Sequence, residues 1–85
     1  MTYAIRYRPP ARKALSKLDK PVARRLLNAI EKLTKDHRPP GCIQLQGGAG
    51  ELRIRVGDYR IVYDVYDTEL VILVLRVGHR REIYR

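Results

Sequence analysis

Gly57-Asp58 constrains this 85-residue chain more than any other feature. It separates two strand-like runs, Glu-Leu-Arg-Ile-Arg-Val at residues 51–56 and Tyr-Arg-Ile-Val-Tyr-Asp-Val-Tyr at residues 59–66. A two-residue Gly-X loop between such runs predicts a tight hairpin. The loop length fixes the pairing: Val56 faces Tyr59, Arg55 faces Arg60 and Arg53 faces Val62. Side chains paired across a ladder share a face, as do residues i and i+2. Leu52, Ile54 and Val56 therefore belong to one face, and Arg53, Arg55 and Arg60 gather on the other.

The rest of the chain supplies partners for that hairpin. Residues 3–7 alternate, with Tyr3, Ile5 and Tyr7 on one side, and predict a short strand ended by Pro9-Pro10. Ala11, Ala14, Leu15 and Leu18 recur at helical spacing. Asp19-Lys20-Pro21 marks a turn and a second helix start, with Asp19 as the cap. Val22, Leu26, Leu27, Ile30 and Leu33 carry that helix to about residue 35. It has the larger apolar surface, so it is expected to lie closest to the sheet. Residues 36–50, rich in Pro and Gly, form a loop with a short extended piece at 43–45. Residues 70–77 are almost wholly apolar and predict a central strand covered on both faces. Gly78 is expected to end it, leaving a basic tail over 79–85. The layout is α+β: an N-terminal strand, a two-helix antiparallel hairpin, a three-stranded antiparallel meander and a short C-terminal tail, in a single domain over residues 1–85.

Charge narrows the partners. Eighteen Lys and Arg against nine Asp and Glu give a net charge of +9. On so small a body this field suits a polyanion: nucleic acid, an anionic membrane surface or an acidic protein. Cys42 is the only cysteine, so neither a disulfide framework nor a thiolate zinc site is expected. The apolar runs are too short to span a bilayer and the first residues lack the apolar core of a signal peptide, so a cytoplasmic location is expected.

Two arginines directly opposed on a ladder repel each other. Chains with many basic residues bring arginines together by chance, and arginine on a solvated strand face is ordinary, its stem covering apolar surface. The register tilts the balance: three guanidinium groups on one side can grip a phosphate, which they bind in a fork. The C-terminal segment offers Arg76, His79, Arg80, Arg81, Tyr84 and Arg85. Folded beside the meander, it brings an arginine, an imidazole and a phenol to the same anion; otherwise it is a solvated basic tail. Tyr84 is placed to stack on a base, an interaction worth ~1–3 kcal/mol. His37, in a Pro-rich loop, is expected to be simply exposed.

Arg53-Ile54-Arg55, Gly57-Asp58-Tyr59-Arg60-Ile61-Val62-Tyr63 and Val77-Gly78-His79-Arg80-Arg81-Glu82-Ile83-Tyr84 resemble the RelE/ParE superfamily of bacterial toxins, in its RelE-like branch. Ala11-Arg12-Lys13-Ala14-Leu15 and Leu45-Gln46-Gly47 fit as well, so the resemblance covers essentially the whole chain. It implies the RelE-like microbial ribonuclease fold and the toxin of a type II toxin–antitoxin pair. Such a toxin is a metal-independent endoribonuclease that enters the A site of the 70S ribosome and cuts messenger RNA, the 2′-hydroxyl attacking the adjacent phosphate. No cofactor is implied.

Carried over position by position, Arg53 and Arg55 match basic residues of the first meander strand, often lysines in the family. Arg60 would neutralise the scissile phosphate. Arg80 would help the leaving 5′-oxygen, and Tyr84 would orient the nucleotide. Arg76, Arg81 and Arg85 are further RNA-binding candidates. Arginine does not surrender its proton, so neither Arg53 nor Arg55 can be a general base. His79 is then the candidate base. The alternative is catalysis without a strong base, by electrostatic stabilisation and positioning on the ribosome. The resemblance further implies a cognate RelB-like antitoxin, and operator DNA reached only through the antitoxin complex. Two other readings stay open: a ParE-like inhibitor of DNA gyrase, and a non-catalytic member that binds nucleic acid or antitoxin.

Overall fold

The computed structural model describes residues 2–45 and 50–79. Its elements run β1 (Ala4–Tyr7), α1 (Pro9–Ser16), α2 (Lys20–Lys32), β2 (Ile43–Gln44), β3 (Leu52–Val56), β4 (Tyr59–Tyr66) and β5 (Val71–His79). The strands form one sheet in the order β1-β5-β4-β3-β2. β1 pairs parallel to β5 and the other pairings are antiparallel. The α+β reading holds, but the meander is the centre of a five-stranded mixed sheet, because β1 and the short β2 add to its two edges.

Proline starts both helices. Arg8 is extended (φ −72°, ψ 151°), the conformation forced on a residue before proline, and Pro9 and Pro10 occupy the first turn of α1. Asp19 stands at the N-cap of α2, but its side chain makes no capping hydrogen bond. The α-helix ends at Lys32, short of residue 35. From there Leu33, Thr34 and Lys35 donate to carbonyls three residues back, a tightening common at helix ends.

Both helices cover one face of the sheet. Leu26 and Ile30 of α2, with Leu33 just beyond, pack with Ala11 of α1 against Leu52, Ile54, Ile61, Tyr63, Ile72, Val74 and Val77. Contrary to expectation, α1 makes the closer backbone approach, over β5. Its fully buried contact residue is an alanine, so little side chain holds the backbones apart, whereas the leucine and isoleucine of α2 keep that helix at a distance.

Two irregularities set the directions of the functional side chains. Gly57 has φ +61°, and Asp58 is not among the positive-φ residues, which makes the β3–β4 loop a type II′ turn. The register is the expected one: Val56 opposite Tyr59, Arg55 opposite Arg60, Arg53 opposite Val62. The second is a bulge. Val62 pairs with Arg76 but Tyr63 pairs with Val74, so Leu75 is an extra residue on β5. Gly78 does not end this strand; it pairs with Arg60, and β5 continues to His79.

His37 is half-buried rather than simply exposed. Its ring lies 4.7 Å from that of Tyr3, and its carbonyl accepts a 2.7 Å hydrogen bond from the Tyr63 hydroxyl. Tyr3 donates to Asp67 Oδ1 at 2.7 Å, and Arg38 lies 3.7 Å from Asp67 Oδ2. The loop after α2 is thereby fastened to β1 and to the β4–β5 turn.

Candidate nucleic-acid interface

The sheet face away from the helices carries the arginines. One row across it holds Arg55, Arg60 and Gly78; the next holds Ile43, Arg53, Val62 and Arg76. With strands ~4.8 Å apart and residues rising ~3.3 Å, the four arginine Cα atoms outline a patch of roughly 10 by 7 Å. Arg53 is half-buried, while Arg55 and Arg76 are exposed. Arg60 is only 7% exposed. It lies opposite Gly78, which presents no side chain, and its Nη1 donates to the Tyr59 carbonyl at 3.1 Å. Arg55 Nε donates to the Gly57 carbonyl at 3.3 Å, which ties it to the turn. Val62, at the centre of the patch, is fully buried although it stands outside the helix-side core.

The bulge decides who joins this face. Ile72 and Val74 point toward the helices, so unbroken alternation would send residues 76 and 78 the same way. The extra residue shifts the phase: Val77 enters the core and Arg76 turns to the arginines. For the same reason His79 goes to the helix side, a correction to the expectation that it joins the guanidinium groups. It pairs with Tyr59, their rings edge-to-face at 5.5 Å, and shares a hollow with Lys13 and Lys17 of α1. The sequence signal was present in the apolar phase, which runs 72, 74 and then 77. Arg80, Arg81, Tyr84 and Arg85 lie outside the described residues.

On this face a guanidinium cluster can hold a phosphodiester and neutralise charge that builds on it. Further along β4 on the same face stands a carboxylate, Asp64, whose Oδ1 accepts from the Val65 N–H. Among the described residues, no group of three or more His, Cys, Asp or Glu is gathered as a metal site would require, and no helix is long and apolar enough to cross a membrane. Beside the patch, β2 pairs with Leu52 and Arg53 and, among the described residues, with no others. A groove of about 550 Å³ opens past it, between Ile54 and Val56 of β3 and Ala29 and Leu33 on the helix side, with Lys32 and Arg55 on its walls.

A basic α+β domain with an arginine face defines a class, and comparison with known proteins names it. The family model for the ParE toxin of the type II toxin–antitoxin system parDE matches residues 5–84. Toxin RelG of Mycobacterium tuberculosis is 31% identical over 86 residues, spanning 100% of this chain and 99% of that protein. A putative RelE-like toxin protein of Escherichia coli is 30% identical over 81 residues, 94% of this chain and 85% of its own length. Among solved structures, the archaeal RelE–RelB complex of Pyrococcus horikoshii superposes with a TM-score of 0.81 at 33% identity, covering 94% of this chain and 97% of the matched one. The intact RelBE toxin–antitoxin complex of E. coli gives 0.80 at 26% identity, covering 91% and 95%. The chain belongs to the RelE/ParE superfamily of type II toxins, in its RelE-like branch.

Proposed function

We propose that this toxin is an endoribonuclease that cuts messenger RNA in the ribosomal A site. The observation that carries the reading is the gathering of Arg53, Arg55, Arg60 and Arg76 on one sheet face, with Arg60 largely withdrawn from water. In the proposed reaction the 2′-oxygen of the RNA bonds to the neighbouring phosphorus and the P–O5′ bond breaks. A 2′,3′-cyclic phosphate and a 5′-hydroxyl result; the 2′ proton passes to solvent and the 5′-oxygen takes one up. Arg60 neutralises the phosphorane, in a site where low exposure strengthens the interaction. Arg53, Arg55 and Arg76 hold the flanking backbone. With His79 on the other side of the sheet, the chemistry follows the route without a strong base, through electrostatic stabilisation and positioning by the ribosome. Arg80 and Tyr84 are proposed to assist the leaving group and orient the nucleotide.

A RelB-like antitoxin is the proposed protein partner. The groove beside β3 supports it: a strand edge unpaired among the described residues, next to an apolar channel on a chain of charge +9, suits an acidic, partly disordered segment. Contact with operator DNA then runs through that complex. The match to the ParE family model favours a second reading, inhibition of DNA gyrase. Induction in a bacterial host separates the two. Translation-dependent cuts in messages support the nuclease; intact messages with lost supercoiling support the gyrase inhibitor.

A further inference from the structure

The open face continues past the arginines and changes character. The next rows along β4 pair Asp64 with Leu73 and Tyr66 with Val71, and β1 adds Arg6 beside Leu73. Here Arg6, Tyr66, Glu69, Val71 and Leu73 line a hollow of about 430 Å³. Tyr66 is 42% exposed, one of the few large hydrophobic side chains left so open among the described residues. The floor, Val71 and Leu73, is apolar; a guanidinium donates at the rim and a carboxylate accepts.

A phosphate is poorly served at this end, because Asp64 and Glu69 are both anions. A neutral planar ring fits better: it stacks on the phenol, covers the aliphatic floor and meets a donor and an acceptor at its edge. We propose that this hollow is a base-stacking subsite for single-stranded RNA whose backbone lies on the arginine patch, with Tyr66 as the platform. The inference rests on the RNA-cutting reading and extends its substrate contacts. Arg60 and Tyr66 are six residues apart on one strand, about 20 Å. The stacked base is therefore a few nucleotides from the gripped phosphate, and Tyr66 contributes to binding rather than to the reacting atoms.

Length-resolved binding tests this, using 2′-O-methyl RNA that cannot be cut. A trinucleotide reaches only the arginines; an octanucleotide also reaches the hollow. Tyr66→Ala is expected to bind the trinucleotide like wild type and the octanucleotide about 5–150-fold more weakly. Tyr66→Phe, which keeps the ring, is expected to match wild type on both. If Tyr66→Ala binds both lengths like wild type, or weakens both equally, or if wild-type affinity does not rise with length, the subsite is overturned. Failure of the parent reading looks different: a variant with Arg53→Ala and Arg55→Ala would keep full affinity for both RNAs.

Discussion

Arg55 and Arg60 stand directly opposite each other across β3 and β4, one exposed and the other 7% exposed. Two unit charges about 7 Å apart in water repel by about 0.6 kcal/mol, and more where burial lowers the effective dielectric. Like charges directly opposed on a ladder destabilise it by roughly 0.2–1 kcal/mol. Replacing Arg55 by Gln removes the repulsion and keeps part of the stem. It also gives up the exposed 3.3 Å bond to the Gly57 carbonyl, a small loss at that length. For a domain of this size each kcal/mol moves the melting midpoint by about 4–8 °C, so Arg55→Gln should melt roughly 1–8 °C higher in low salt. In 1 M salt the Debye length falls to about 3 Å and the gain should shrink. The same variant should bind single-stranded RNA more weakly, with the salt dependence of log affinity reduced by about 0.7 for the lost phosphate contact. Circular-dichroism melts at two salt concentrations and a binding titration measure all of this. A midpoint that does not rise in low salt, or a gain that survives high salt, refutes the claim that the pair is held against its own repulsion. A stabilised variant with unchanged RNA affinity refutes the claim that the repulsion is kept for RNA.

Arg60→Lys keeps the charge but loses the planar fork, so message cleavage should fall at least tenfold, with order-of-magnitude precision, while the far-ultraviolet spectrum is retained. His79→Gln should leave the pH profile of cleavage unchanged, because the imidazole faces Tyr59 on the helix side; a displaced profile would return His79 to the chemistry. Burial, above all, raises the Tyr63 pKa well beyond its ordinary 10.0. Its contribution to stability is thus complete below pH 10 and is lost as pH rises toward the folded value, by about 1.4 kcal/mol per pH unit. Tyr63→Phe should cost about 0.5–1.5 kcal/mol at neutral pH through the lost bond to the His37 carbonyl, and should flatten the alkaline decline. Urea titrations between neutral and strongly alkaline pH show both effects; an unaltered decline would trace it to Tyr3 and Tyr7, whose pKa values are also raised.

The hairpin was legible because Gly57 can take a positive φ and a two-residue loop leaves one register. That alone brought Arg53, Arg55 and Arg60 to one face. The interior place of β5, between β1 and β4, was legible from its almost wholly apolar run, but the expected cover on both faces is not met: the helices lie on one face, and Val71 and Leu73 line an open hollow on the other. The bulge at Leu75 was not legible, because any side chain can fill such a position and only the change of apolar phase marks it. It sends His79, expected beside the guanidinium groups, to the helix side instead. The order of the helices was misjudged because apolar area measures how much a helix buries, not how closely its backbone approaches; Ala11 decided the second. The fastening of His37 joins residues far apart in sequence, Tyr3, Tyr63 and Asp67, which no local pattern connects.

The most direct test uses purified toxin, ribosomes and a defined message with a single codon in the A site, with the ends of the RNA mapped and their chemistry determined. The nuclease account predicts cleavage only when ribosomes are present, a 2′,3′-cyclic phosphate beside a 5′-hydroxyl, and loss of both products in Arg60→Ala. A message left intact by the wild-type toxin on the ribosome, or cut equally well by Arg60→Ala, would contradict it.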